Sequence, residues 1–161
     1  MRHTISVLVE NKAGVLSRVS GLFSGRGFNI ESLTVGETED PTVSRMTIVV
    51  AGDDIILEQI TKQLNKLIDT IKVIDLTKEN FINRELALIK VTAASADRSE
   101  IMQIVNIFRA KIVDISPKTF TIEATGSEDK VNALINILKG FGIKEMVRTG
   151  TVALSRATQI K

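Results

Sequence analysis

The feature that most constrains this chain is an apolar pattern that runs through the same order of elements twice. Thr4-Ile-Ser-Val-Leu-Val-Glu10 is rich in β-branched residues and gives way to polar Asn11-Lys12, which predicts a buried strand. Val15, Leu16, Val19, Leu22 and Phe23 then recur at helical spacing, and Gly25-Arg-Gly27 stops that helix. Phe28 to Glu37 and Val43 to Ala51 flank the polar Thr38-Glu-Asp-Pro-Thr42, so the pair reads as a hairpin. Asp53 and Asp54 suit a helix N-terminus, where carboxylates accept orphan N–H groups, and Ile56, Ile60, Leu64, Leu67 and Ile68 supply one apolar face. Ile71 to Thr77 predicts a closing strand.

The second pass repeats this order. Leu86 to Ala93 is a strand, Asp97 to Arg109 a helix, and Ile112 to Ser116 with Thr119 to Ala124 a hairpin bent at Pro117. Ser127 starts a helix carrying Val131, Leu134, Ile135 and Leu138, which Gly140 and Gly142 stop, and Ile143 to Leu154 ends the unit as a strand. Two β-α-β-β-α-β passes predict an α+β protein of two tandem ferredoxin-like units, each an antiparallel sheet with two helices on one face. Lys78 to Arg84 has no clean periodicity, so the boundary falls there: residues 1–77 form the first domain and 78–161 the second. Each unit is short for a self-sufficient core, and one sheet face has no helices of its own, so pairing between copies is expected.

Composition removes most catalytic chemistry. There is no Cys, so disulfides, thiolate nucleophiles and Cys-based metal sites are out, and the lone His3 has no partner for a metal site or a histidine-based triad. It reads as an ordinary terminal residue. Charge amounts to only +2 overall, −2 in the first domain and +4 in the second, which does not announce nucleic acid. Phe is the only aromatic, and no apolar run approaches the roughly 20 residues of a membrane span. The start lacks a signal-peptide pattern, and a cytoplasmic location is expected.

One loop invites a ligand. Asn11-Lys-Ala-Gly14 lies between a strand and a helix whose first N–H groups lack partners, and such an end attracts anions. Gly14 would let a small molecule reach the backbone, and the Asn11 carbonyl could accept from an ammonium; carboxylate plus ammonium describes a free amino acid. Spacing alone favours the plainer reading, in which Asn11 makes a turn and Gly14 relieves crowding at the helix start. Arg26-Gly27-Phe28 imitates an RNA-recognition aromatic signature, but on the second strand rather than the third, with Asn29 and Ile30 where small and aromatic residues belong. An acylphosphatase-like enzyme would want an Arg in the first loop, which holds only Lys12. Glu37, Glu39 and Asp40 are acidic enough to attract a cation, yet they suit a solvated hairpin tip better. No catalytic constellation and no metal site is expected.

Asn11-Lys-Ala-Gly-Val-Leu-Ser-Arg-Val-Ser-Gly-Leu-Phe-Ser-Gly-Arg-Gly-Phe-Asn-Ile-Glu-Ser-Leu-Thr-Val35, followed by Ser44-Arg-Met-Thr-Ile48, resembles the small, regulatory subunits of acetolactate synthase (acetohydroxyacid synthase). The Asn-x-x-Gly-Val-Leu loop alone indicates an ACT domain, the amino-acid-sensing version of this fold, and the two later runs narrow it. Ile112-Val-Asp-Ile-Ser-Pro117 and Leu154-Ser-Arg156 are similar to the family's second domain, so the resemblance covers essentially the whole chain. It implies a non-catalytic chain that activates a separate catalytic subunit using thiamine diphosphate, Mg²⁺ and FAD, and that confers feedback inhibition by L-valine in branched-chain amino acid biosynthesis. It further implies a homodimer through the ACT domains, with valine held by Asn11, Ala13, Gly14, Val15 and Leu16 of one copy and Asn29 and Ile30 of the other. A free-standing amino-acid-binding ACT regulator of another enzyme or of transcription is the alternative.

Overall fold

A computed structural model describes residues 1–157, which divide into two compact units: Met1–Ile82 together with the segment from Thr151 onward, and Asn83–Gly150. The first unit runs β1 (Arg2–Glu10), α1 (Val15–Ser24), β2 (Ile30–Glu37), β3 (Val43–Ala51), α2 (Asp54–Lys66) and β4 (Thr70–Asp75). Its sheet is antiparallel in the order β2-β3-β1-β4. Alternation along the strands decides which face meets the helices. Ile5 pairs with Ile48 and Val7 with Met46, and all four are buried against Val15, Val19 and Phe23 of α1 and Leu57, Ile60 and Leu64 of α2. The Asp53 carboxylate accepts the Ile56 N–H at 2.9 Å and so starts α2, as its position before the apolar face predicts.

The second unit repeats the order with β5 (Phe81–Thr92), α3 (Arg98–Ile107), β6 (Lys111–Ile115), β7 (Thr119–Gly126), α4 (Glu128–Leu138) and β8 (Ile143–Arg148). Its strands lie in the order β6-β7-β5-β8. Ala87, Ile89 and Val91 of β5 and Phe120, Ile122 and Ala124 of β7 form the sheet side of a second core, with Ile101, Val105, Val131, Leu134 and Leu138 above them. Ser127 caps α4 as expected. The α+β class and the doubled ferredoxin-like order are those the periodicity predicts.

Three local readings differ from the structure. The run Ile143 to Leu154 is not one strand: β8 ends at Arg148, Gly150 takes φ +82°, and a separate β9 (Val152–Ser155) follows. The break falls at the polar Arg148-Thr-Gly-Thr151, where Gly150 supplies the left-handed backbone. The segment from Thr151 belongs with the first unit, where the Thr151 N–H donates to Ser32 Oγ at 3.0 Å, and β9 lies beside β1. The Lys78–Arg84 stretch is likewise not all connector, because β5 already begins at Phe81 and the Arg156 N–H donates to Asn80 O at 2.9 Å. The first sheet's face away from its helices is therefore not bare: Ser6, Thr47 and Val49 on that face are buried.

His3 is the third difference. It is inside β1 rather than ahead of it, opposite Val50 on the helix-facing side, and only 1% exposed. Its Nε2 lies 3.2 Å from Gly52 O and 3.7 Å from Asp54 Oδ1, so it is a core residue under the start of α2.

Candidate functional site

β1 delivers the chain to the loop 11–14 in the middle of the first sheet's end, and α1 leaves from it. Gly14 occupies the N-cap position with φ +83° and ψ −8°, left-handed backbone that suits glycine and strains other residues. With no side chain there, α1 has no side-chain cap, and its first turn carries no acidic residue. The helix end thus presents amide N–H groups and the positive end of its dipole without a protein carboxylate to neutralise them. Val15 N–H reaches only Lys12 O, at a long 3.4 Å.

The loop is braced from two sides. On one, Asn11 N–H donates to Thr42 O at 2.8 Å, and its Nδ2 donates to Glu37 Oε1 and Pro41 O, each at 3.0 Å. Those contacts tie it to the β2–β3 hairpin and leave its amide carbonyl oxygen as the atom available to a cationic donor. On the other side, the Glu10 N–H donates to Asp69 O at 2.8 Å, and Arg18 donates through Nε and Nη2 to Asp69 Oδ2 at 2.9 and 2.7 Å. Lys12 Nζ sits 2.8 Å from Glu10 Oε2, a hydrogen bond that raises the ammonium pKa above its ordinary value.

The residues named in advance sort into two places. Asn11, Ala13 and Gly14 are exposed, and Leu16 is 42% exposed, so all can face a small molecule. Val15 is 3% exposed and faces the core, which leaves its backbone N–H, not its side chain, for a ligand. Asn29 is exposed just ahead of β2, and Ile30 is partly buried at the strand's first position. Register separates the two groups: Ile30 pairs with Val50, which pairs with His3, whereas Asn11 follows Glu10 at the other end of β1. At about 3.4 Å per residue the two groups stand roughly 25 Å apart within one chain. β2, which carries the second group, is an edge strand of its sheet.

The other sequence features resolve locally. Asp40 accepts from both Thr42 Oγ1 (2.7 Å) and Thr42 N (3.0 Å), which holds its carboxyl below the usual range and shapes the hairpin tip. Glu37 is engaged by Asn11. Among the described residues, no cluster of three or more His, Cys, Asp or Glu is placed to hold a metal ion. Arg26-Gly27-Phe28 ends α1: Gly27 takes φ +73°, the Phe28 N–H returns to Phe23 O, and the Phe28 ring packs on the first core rather than forming an open stacking platform. Sequence reading missed Asp69, Glu37 and Pro41 as supports of the loop. Arg18, four residues after Gly14, was the one local signal, since a helical side chain leans back toward the N-terminus.

Residues 5–72 match the model of the "AHAS small subunit-like ACT domain", and residues 84–157 match that of the "Small subunit of acetolactate synthase". A probable acetolactate synthase small subunit from Archaeoglobus fulgidus is 60% identical over 159 residues, 99% of each chain. The acetolactate synthase small subunit of Aquifex aeolicus is 58% identical over 99% of this chain and 84% of its own length. A crystal structure of the Thermotoga maritima small subunit superposes with a TM-score of 0.89 at 49% identity, covering 98% of this chain and 99% of that one. The chain belongs to the family of acetolactate synthase small subunits.

Proposed function

We propose that this chain is the non-catalytic regulatory subunit of an acetolactate synthase, which activates the catalytic subunit and makes it sensitive to L-valine. The observation that carries the reading is the division of the candidate residues between the uncapped, braced loop at Gly14 and the edge strand β2. An antiparallel pairing of β2 with the β2 of a second copy brings the start of one strand beside the end of the other. That end carries Glu37, which is bonded to Asn11. Two copies therefore assemble what one chain holds apart, and they also cover an exposed edge.

In this arrangement valine's carboxylate meets the α1 N–H groups near Gly14 to Leu16, and its ammonium meets the Asn11 carbonyl or backbone oxygens around Asn29 of the second copy. Leu16 and Ile30 offer apolar surface to the isopropyl group. Because the ligand sits between copies, it favours whichever relative arrangement closes on it, and that differential affinity biases the catalytic subunit toward its inhibited state. Thiamine diphosphate, Mg²⁺ and FAD belong to the catalytic subunit, and the complex works in the cytoplasm.

The test is acetolactate formation from pyruvate by the cognate catalytic subunit alone, with this chain, and with this chain plus L-valine. Activation that valine reverses is the expected result. A rate indifferent to the chain at every concentration removes the partner assignment and leaves an amino-acid-binding ACT protein with a different client.

A further inference from the structure

Asp69, in the turn between α2 and β4, grips both ends of the loop 11–14. Its backbone carbonyl holds the residue before the loop, Glu10, and its carboxylate holds Arg18 in the first turns of the helix after it. The residue is 9% exposed, so its carboxylate needs a partner, and Arg18 supplies one through two donors on a single oxygen. That accounts for only part of the guanidinium. Nη1 has no hydrogen-bond partner among the described residues, and it lies 3.0 Å from the point a Cβ on Gly14 would occupy. A helical side chain leans toward the N-terminus, and here the missing Gly14 side chain leaves room for it to do so. The result is a cation whose free edge borders the same helix end that has no acidic residue of its own.

We propose that Arg18 binds the α-carboxylate of the effector through Nη1, and that Asp69 is the positioning residue that holds the guanidinium at the helix end. The inference rests on the amino-acid-binding reading above and adds to it a charged side chain that fixes the carboxylate. A helix end alone attracts any small anion weakly, whereas a fixed guanidinium beside it fits the planar, two-oxygen carboxylate of an amino acid.

The experiment is isothermal titration of the full chain with L-valine, with thermal unfolding of each variant measured alongside. Arg18→Gln should weaken valine by about tenfold or more, the cost of one charge-assisted hydrogen bond. Asp69→Asn, which frees the guanidinium without removing it, should weaken valine by only a few-fold. An Arg18→Gln affinity within about twofold of wild type overturns the proposal. So does an equal loss in Arg18→Gln and Asp69→Asn, because that would make the ion pair a brace and nothing more. If Arg18→Gln does not fold, Arg18→Lys decides: a point charge in place of the fork should cost a few-fold in valine affinity, and an unchanged affinity rejects the contact. A wild-type chain that binds no valine removes the effector reading itself, and this inference with it.

Discussion

The two units share one topology, yet the crossover from their first strand to their first helix is built in opposite ways. In the first unit, the loop after β1 ends on Gly14, α1 begins without a carboxylate in its first turn, and Arg18 leaves one edge free. In the second, Asp97 stands at the N-cap of α3 and Glu100 lies in its first turn, so two carboxylates already sit at the positive helix end. The second crossover also closes on itself. Arg98 donates to Ala93 O (3.1 Å) and Ser116 O, and its guanidinium lies 4.7 Å from the centre of the Phe120 ring. A few side chains thus decide whether this crossover is an anion-accepting cup or a sealed corner, and the fold alone decides neither.

The largest effect that sharpens this comparison is structural. Phe23, on the inner face of α1, is fully buried in the first unit's core cluster, so Phe23→Ala should cost that unit about 3–5 kcal/mol. Hydrogen exchange should show β1 and β3 amides losing protection, while β5 and β7, which serve a separate core, keep theirs. Equal loss in both units would show that they unfold as one.

Next comes Gly14→Asp, which gives the first crossover the carboxylate the second one has. Placing like charge where the effector's carboxylate belongs costs several kcal/mol, so valine should bind about a hundredfold more weakly and feedback should disappear. Valine titration of acetolactate formation checks this, and an unchanged response would locate the effector elsewhere. The converse change is smaller. Arg98→Ala strips the Phe120 face and leaves two carbonyls without their donor, at about 1–3 kcal/mol of stability by denaturant unfolding. It should create no valine site, because Asp97 and Glu100 remain.

The smallest effect separates exposed ion pairs from the braced loop. Lys90 and Glu145 pair at 2.7 Å across β5 and β8, and their hydrogen bond holds the Glu145 carboxyl below its ordinary value and raises Lys90. Glu145's share of stability is therefore present above the ordinary carboxylate range and is lost as pH falls through its lowered pKa. The Lys90 share is present below the ordinary lysine range and is lost as pH rises through its raised pKa. Carboxyl NMR titration in low and high salt should show the Glu145 shift shrinking with salt and vanishing in Lys90→Ala.

Most of the fold was legible because its signals are short in range. The switch of apolar spacing from two to three or four is written within each element, and caps such as Asp53 and Ser127 sit where a single turn of helix needs them. What escaped depends on distant partners. His3 is buried because Val50 and the start of α2 surround it, and nothing in Met1-Arg2-His3 announces them. Asp69 lies between two elements with no motif around it, and its importance comes from Glu10 and Arg18, more than fifty positions away. The candidate loop could be read from Asn11 and Gly14. The separation of that loop from Asn29 and Ile30 needed the strand register.

The placement of β9 bears on how the protein is made. Residues 151–157 pack with a unit whose other members precede the second unit in the chain, so the whole second unit is synthesised in between. The nascent amino-terminal unit must therefore hold its four-stranded sheet together while some seventy residues are added before β9. During synthesis, the Ser32 hydroxyl waits for a partner that is made only after the second unit.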